Sequence, residues 1–215
     1  MILGKSFDLR RVFAGSGRVS DTPVTDVSFA VIDSETTGLD PLQDRILSLG
    51  GLKIKDNRIK VSETLELFLA QDHFDARSVP IHGIMREGPN KRISEKEALV
   101  QLRDYVGDAI LVGHHIGFDL EMIRRAQQRH QLPYFTNIAL DTGLLYRKTL
   151  LKSPLVPKKQ HYSLDELAEK YNISCKDRHT ALGDAYITAL AFLQILSQLQ
   201  EKRDLTLKAL IRMGT

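Results

Sequence analysis

The chain has 215 residues, enough for one large domain, and at 42% hydrophobic and 27% charged it is composed like an ordinary soluble globular protein. A net charge of +3 and a pI of about 8.9 permit a polyanionic partner without demanding one. The single cysteine, Cys175, excludes an internal disulfide framework and a multi-cysteine zinc site and suits a reducing, cytoplasmic setting, and with no tryptophan any stacking platform has few residues to draw on.

No apolar run reaches the roughly 18 residues that span a membrane, so no membrane partner is expected. Met1 to Arg11 lacks the apolar core and small-residue cleavage site of a secretory signal. Phe7, Leu9, Val12 and Phe13 sketch a short amphipathic helix stopped at Gly15-Ser16-Gly17, so residues 1–25 are expected to be an appendage on the domain. Val27 to Asp33 reads as a buried strand. Ile46 to Lys55 and Arg58 to Leu69 read as two further strands joined by a turn at Asp56-Asn57. Asp75 to His82 reads as a short helix interrupted by Pro80, and Ser94-x-x-Glu97 as a capping box before the stripe Ala98, Leu99, Leu102, Tyr105 and Val106. Ala109 to Val112 is a short strand, with a helix from about Gly117 to Arg129 after it. Ile138 to Leu140 is another strand, and Asp141-Thr142 begins another helix. Lys152 to His161 reads as a mobile loop and Ser163-x-x-Glu166 as a second capping box. A long helix over Thr180 to Leu199 precedes a charged break and a last short helix. A strand hairpin followed by alternating helices and strands predicts an α/β fold: a mixed central sheet, with antiparallel hairpin strands and parallel strands, flanked by helices. The expected boundaries are 1–25 for the appendage, 26–200 for the domain and 201–215 for a helical extension of it.

The chemistry gathers at Asp33-Ser34-Glu35. Side chains two apart on a strand share a face, so Asp33 and Glu35 project together where the strand leaves the core. Carboxylates that close repel each other unless a cation lies between them, and hard cations choose oxygen ligands. Standing alone, such a pair is no more than a solvated strand end. Three further residues also lie at element ends: Asp119 in the first turn of a helix, Asp184 one turn into the long helix, and His179 five residues before it.

Asp33-Ser34-Glu35-Thr36-Thr37-Gly38-Leu39, Gly113-His114-His115-Ile116-Gly117-Phe118-Asp119 and Arg178-His179-Thr180-Ala181-Leu182-Gly183-Asp184 resemble, in order and spacing, the three exonuclease motifs of the DEDDh 3′→5′ exonucleases, the DnaQ-like family. Ile81-His82-Gly83-Ile84 resembles a further element of that family. The resemblance runs from about Val27 to Leu199. It implies a ribonuclease H-like fold and hydrolysis of phosphodiester bonds at the 3′ end of single-stranded DNA, releasing nucleoside 5′-monophosphates. It further implies that Asp33, Glu35, Asp119 and Asp184 hold two divalent ions, Mg²⁺ or Mn²⁺, with His179 as general base. Thr36, Thr37 and Gly38 would offer backbone near the terminal nucleotide, Leu39 would wedge against its base, and His82 would lie along its sugar or base. Phe118 would pack under the site or touch the base. His115 stands where the family often has Asn and would act as a supporting hydrogen-bonding group. Ser34 would point away from Asp33 and Glu35 with little effect on chemistry. Arg124, Arg125 and Arg129 read as a solvated helix face, while Lys148, Lys152, Lys158, Lys159 and His161 would follow a phosphate backbone. RNA is the rival substrate, in the manner of ribonuclease T or an oligoribonuclease. An accessory role beside a DNA polymerase is the other alternative, although the usual clamp-binding tail is expected to be missing after Leu199.

Overall fold

The computed structural model describes residues 22–73, 75–86, 88–150, 159–202 and 205–215. Six strands form one sheet: β1 (Phe29–Thr36), β2 (Ile46–Lys55), β3 (Arg58–Ala70), β4 (Arg92–Ser94), β5 (Ile110–Gly113) and β6 (Ala139–Asp141), in the spatial order β4-β3-β2-β1-β5-β6. β2 is antiparallel to both neighbours; β4, β5 and β6 join parallel. This is the mixed sheet that the strand-first pattern predicts. The three-residue β4 is an addition to it. Arg92-Ile93-Ser94 carries no period of its own and becomes a strand by pairing with Phe68–Ala70.

Among the described residues the α-helices are α1 (Val79–His82), α2 (Glu95–Val106), α3 (Gly117–Arg129), α4 (Thr142–Thr149), α5 (Leu164–Tyr171), α6 (Ala181–Lys202) and α7 (Leu207–Gly214). Alternation along β1 divides them. Phe29 and Val31 face a core built with α4, α6 and α7, whereas Ala30 and Ile32 face α2 and α3. Burying apolar surface on both sides stabilises the sheet by roughly 25 cal/mol per Å². Phe29 meets Phe192 of α6 edge-to-face at 5.0 Å.

The neighbouring glycines Gly50 and Gly51 on β2 admit one helix on each side. A Cβ on Gly50 would overlap the Ala181 backbone at the start of α6, and one on Gly51 would lie 2.8 Å from Tyr105 Cε1 of α2. Close approach of α6 to β2 follows, and α6 carries Asp184.

Local signals are obeyed with small differences. Ser163 and Glu166 form the full capping box, but at α2 only Ser94 caps, because Glu97 turns its side chain to Gln101. Pro80 lies in the first turn of α1 rather than interrupting a longer helix. Arg129 departs from the expected solvated face: it donates twice to the buried carboxylate of Glu95, which also meets Gln71 and His130. Arg124 and Arg125 pair with Glu121 at the surface, and Lys159 pairs with Glu166. The expectations for residues 1–21 and for Lys152 and Lys158 lie outside the described residues.

Among the described residues, one helix, Ala181–Glu201, is long and apolar enough by length and composition to cross a membrane, although no uninterrupted apolar run of that length is present; 61% of its apolar window is buried inside the protein. Val24, Val27, Leu205, Leu207, Leu210 and Met213 pack into the same core as α6, and Pro23 bridges to Thr206.

Candidate active site

Asp33 and Glu35 lie in the last four residues of β1, on the α6 side of the sheet. They pair in register with Gly50 and Ser48 of β2. Across Gly50 sits the first turn of α6. Its geometry is set by Gly183, where a Cβ would overlap the Asp177 carbonyl, and by Thr180 Oγ1, which accepts the Gly183 N–H at 3.1 Å. Asp184 is thereby turned toward β1. Ligand oxygens of Asp33, Glu35 and Asp184 all lie within 4.8 Å of one another.

Asp119 reaches the site from the opposite layer. It sits in the first turn of α3, just past the end of β5, and is 4% exposed. Ser34 points to that layer and donates through Oγ to Asp119 Oδ1 at 2.5 Å. Ser34 does face away from Asp33 and Glu35, as its strand position requires, but it is not idle: it holds the fourth carboxylate. Three of the expected four acids thus converge, and the fourth is held beside them.

Electrostatics bear out the crowding. Burial pushes the Asp33 carboxyl well above its ordinary value, and the charges of Asp119, Asp184 and Glu35 push it further, with Arg178 opposing. Burial and then Asp184 raise Glu35 to about 7. Asp119 rises to about 7 through burial, against hydrogen bonds from Ser34 that favour its charged form. A set of oxygen donors short of positive charge suits a hard divalent cation.

His179 is exposed, in the left-handed region at φ 63°, and its backbone N–H donates to Asp184 Oδ1 at 3.3 Å. Its neighbour Arg178, present in the third motif without an assigned role, bridges Asp165 and Asp184. The cue was its place beside His179; its partners appear only when α5 and α6 meet.

The turn after β1 presents Leu39, 84% exposed. Thr37 is turned inward: its N–H donates to the Arg45 carbonyl and its hydroxyl to Asp44. Thr37 is thereby buried, while Thr36 and Gly38 beside it stay partly exposed. His82 is 7% exposed and lines a cavity of about 160 Å³ with Ser48, Phe68, Asn90, Arg92 and Thr180. Its Nδ1 accepts the Ile84 N–H at 3.0 Å, so the ring hydrogen sits on Nε2, which has no partner among the described residues. Phe118 packs among the α2–α3 core residues. His115 is exposed with φ 56°, and both it and His114 place Nε2 on the Tyr162 carbonyl, tying the strap before α5 to the turn before α3.

A mixed sheet of this order, with carboxylates gathered at the end of its central strand, is the arrangement of a ribonuclease H-like nuclease. The comparisons with known proteins carry the assignment further. The family described as RNase_T: Exonuclease matches residues 30–192, and the chain belongs to this exonuclease family, the DnaQ-like group that its motifs resemble. It is 31% identical over 186 residues to the PolC-type DNA polymerase III of Thermotoga petrophila, covering 84% of this chain and 13% of that protein. It is 30% identical over 201 residues to a DNA polymerase III subunit epsilon-like protein of Rhodobacter capsulatus, covering 92% of this chain and 28% of that one. The chain therefore spans a small part of the length of these relatives. Among solved structures, E. coli Exonuclease I in complex with a dT13 oligonucleotide has the same fold, with a TM-score of 0.70 and 19% identity over 82% of this chain and 42% of that chain. Exonuclease X in complex with 5′ overhanging duplex DNA gives 0.64 and 21% identity over 86% of this chain and 98% of that chain.

Proposed function

We propose that the chain is a divalent-metal-dependent 3′→5′ exonuclease that removes nucleoside 5′-monophosphates from the 3′ end of single-stranded DNA. The convergence of Asp33, Glu35 and Asp184 within 4.8 Å carries this reading. These residues and Asp119 would hold Mg²⁺ or Mn²⁺, and two such ions, when bound, stabilise the attacking and leaving oxygens of an in-line displacement. His179 takes the proton of the attacking water. Its exposed place beside Asp184 leaves the imidazole open to the substrate. Leu39 packs against the terminal base. His82 offers its Nε2–H to sugar or base oxygen, and the backbone at Thr36 and Gly38 lines the nucleotide. His115 holds the strap at Tyr162 beside the site.

DNA is favoured over RNA because the chain resembles DNA polymerase III proteins. The same likeness supports a second reading, in which the exonuclease proofreads beside a DNA polymerase. Asp33→Ala and His179→Ala test the assignment on a 5′-labelled oligonucleotide with Mn²⁺. Asp33→Ala is expected to lose nearly all activity, and His179→Ala to lose roughly 10²–10⁴-fold, both with the fold intact by circular dichroism. Undiminished cleavage by Asp33→Ala would sink the proposal.

A further inference from the structure

The acidic cluster already contains a cation of the protein's own. Arg178 Nε donates to Asp165 Oδ1 at 2.6 Å, and Nη1 donates to Asp184 Oδ2. The Arg178 side chain is 17% exposed, and its two partners differ sharply. The Asp165 side chain, at the start of α5, is 62% exposed, whereas that of Asp184 is 9% exposed within the cluster. The other Asp184 oxygen takes the His179 N–H. Each oxygen of this carboxylate therefore already accepts one hydrogen bond from the segment just before α6.

A divalent ion that ligates Asp184 through Oδ2 meets the guanidinium at the same atom. Like charges that close repel strongly at a partly buried site, so the two cations compete. Asp165 supplies the second anchor. Arginine presents several donors on one planar group, and here Nε and Nη1 bond different carboxylates, so Asp165 is held through an atom that Asp184 does not use.

We infer that Arg178 is a resident counter-cation of Asp184: it neutralises the carboxylate until a divalent ion binds, then yields the site while held in place by Asp165. Loading of the active site is thus a cation exchange. The inference rests on the proposed metal-binding role of Asp33, Glu35 and Asp184, and it assigns a regulating residue to that site.

Calorimetric titration of the metal-stripped full chain with Mn²⁺, without nucleic acid, tests it. Removing a built-in competitor should tighten binding. Arg178→Gln is expected to lower the Mn²⁺ Kd at least about fivefold, within the usual range for coupled sites. Its metal-free Tm should fall, and its Mn²⁺-induced gain in Tm should exceed the wild-type gain. Arg178→Lys, which keeps the charge but loses the fork, should fold as well as wild type and bind Mn²⁺ with intermediate affinity. If wild type binds Mn²⁺ and both variants bind it equally or more weakly, Arg178 merely orients Asp184 and the exchange is overturned, with the metal reading left standing. A wild-type chain that takes up no Mn²⁺ overturns both.

Discussion

Ser34 shows what a single strand position decides. β1 places Asp33 and Glu35 toward α6 and Ser34 toward α3, so one tripeptide supplies two carboxylates to one layer and a hydrogen-bond donor to the other. The period of two made the shared face of Asp33 and Glu35 legible in the sequence. The partner of Ser34 was not legible, because Asp119 lies 85 residues away and enters from a different helix. Arg178 was hidden for the same reason: adjacency to His179 was visible, but its bridge from Asp165 to Asp184 depends on how α5 meets α6. A hydrogen bond to a charged group contributes about 1.5–3 kcal/mol. Ser34→Ala is expected to lower kcat/KM about tenfold or more and to lower Tm by about 3–12 °C. Steady-state kinetics on an oligonucleotide would check this, and an unchanged kcat/KM would mean that Asp119 is held well enough by its surroundings alone.

Elements bring those residues together through contacts that leave no room. The strand hairpin and the long helix could be read from apolar periodicity, yet the glycine pair Gly50-Gly51 appeared there only as part of a strand. Its meaning is steric: α6 and α2 approach β2 from opposite sides through the missing Cβ atoms. Gly50→Ala is expected to push the start of α6 from the sheet, costing about 1–3 kcal/mol or more by overpacking, and to reduce activity out of proportion by displacing Asp184. Denaturant unfolding and activity measured on the same preparation would show it. β4 likewise could not be read locally, since its pairing with β3 creates it.

The packing of α2 on α3 through Glu95 carries a pH signature. Burial alone would raise the Glu95 carboxyl, but hydrogen bonds and charge from Arg129, with Gln71 and His130, outweigh it and hold the group below its ordinary 4.5. A depressed carboxylate binds fewer protons in the folded state, so its stabilisation is complete above pH 4.5 and fades as pH falls through the lower folded value. Glu95→Gln is expected to lower Tm at neutral pH, by about 1–3 kcal/mol of stability, and to flatten the acid limb of the Tm–pH curve. A limb as steep as the wild type's would place the acid sensitivity elsewhere.

At the scale of the molecule, a mixed sheet with helices on both faces converges its chemistry where β1 and β5 end side by side, at the parallel-strand ends where α/β folds commonly bind ligands. The order of the three acidic motifs made the family legible before the fold was known. Which nucleic acid is bound and from which end it is cut depend on the shape of the site around β1 and α6, which no run of residues spells out. The most direct test is an end-label comparison on single-stranded DNA with Mn²⁺, beside the Asp33→Ala variant and a matched RNA. A 5′-labelled strand is expected to shorten stepwise into a ladder and a 3′ label to be freed at once as the mononucleotide, with neither seen for Asp33→Ala. Release of the 5′ label as the first product, internal cuts, or faster loss of the RNA than of the DNA would contradict the proposed function.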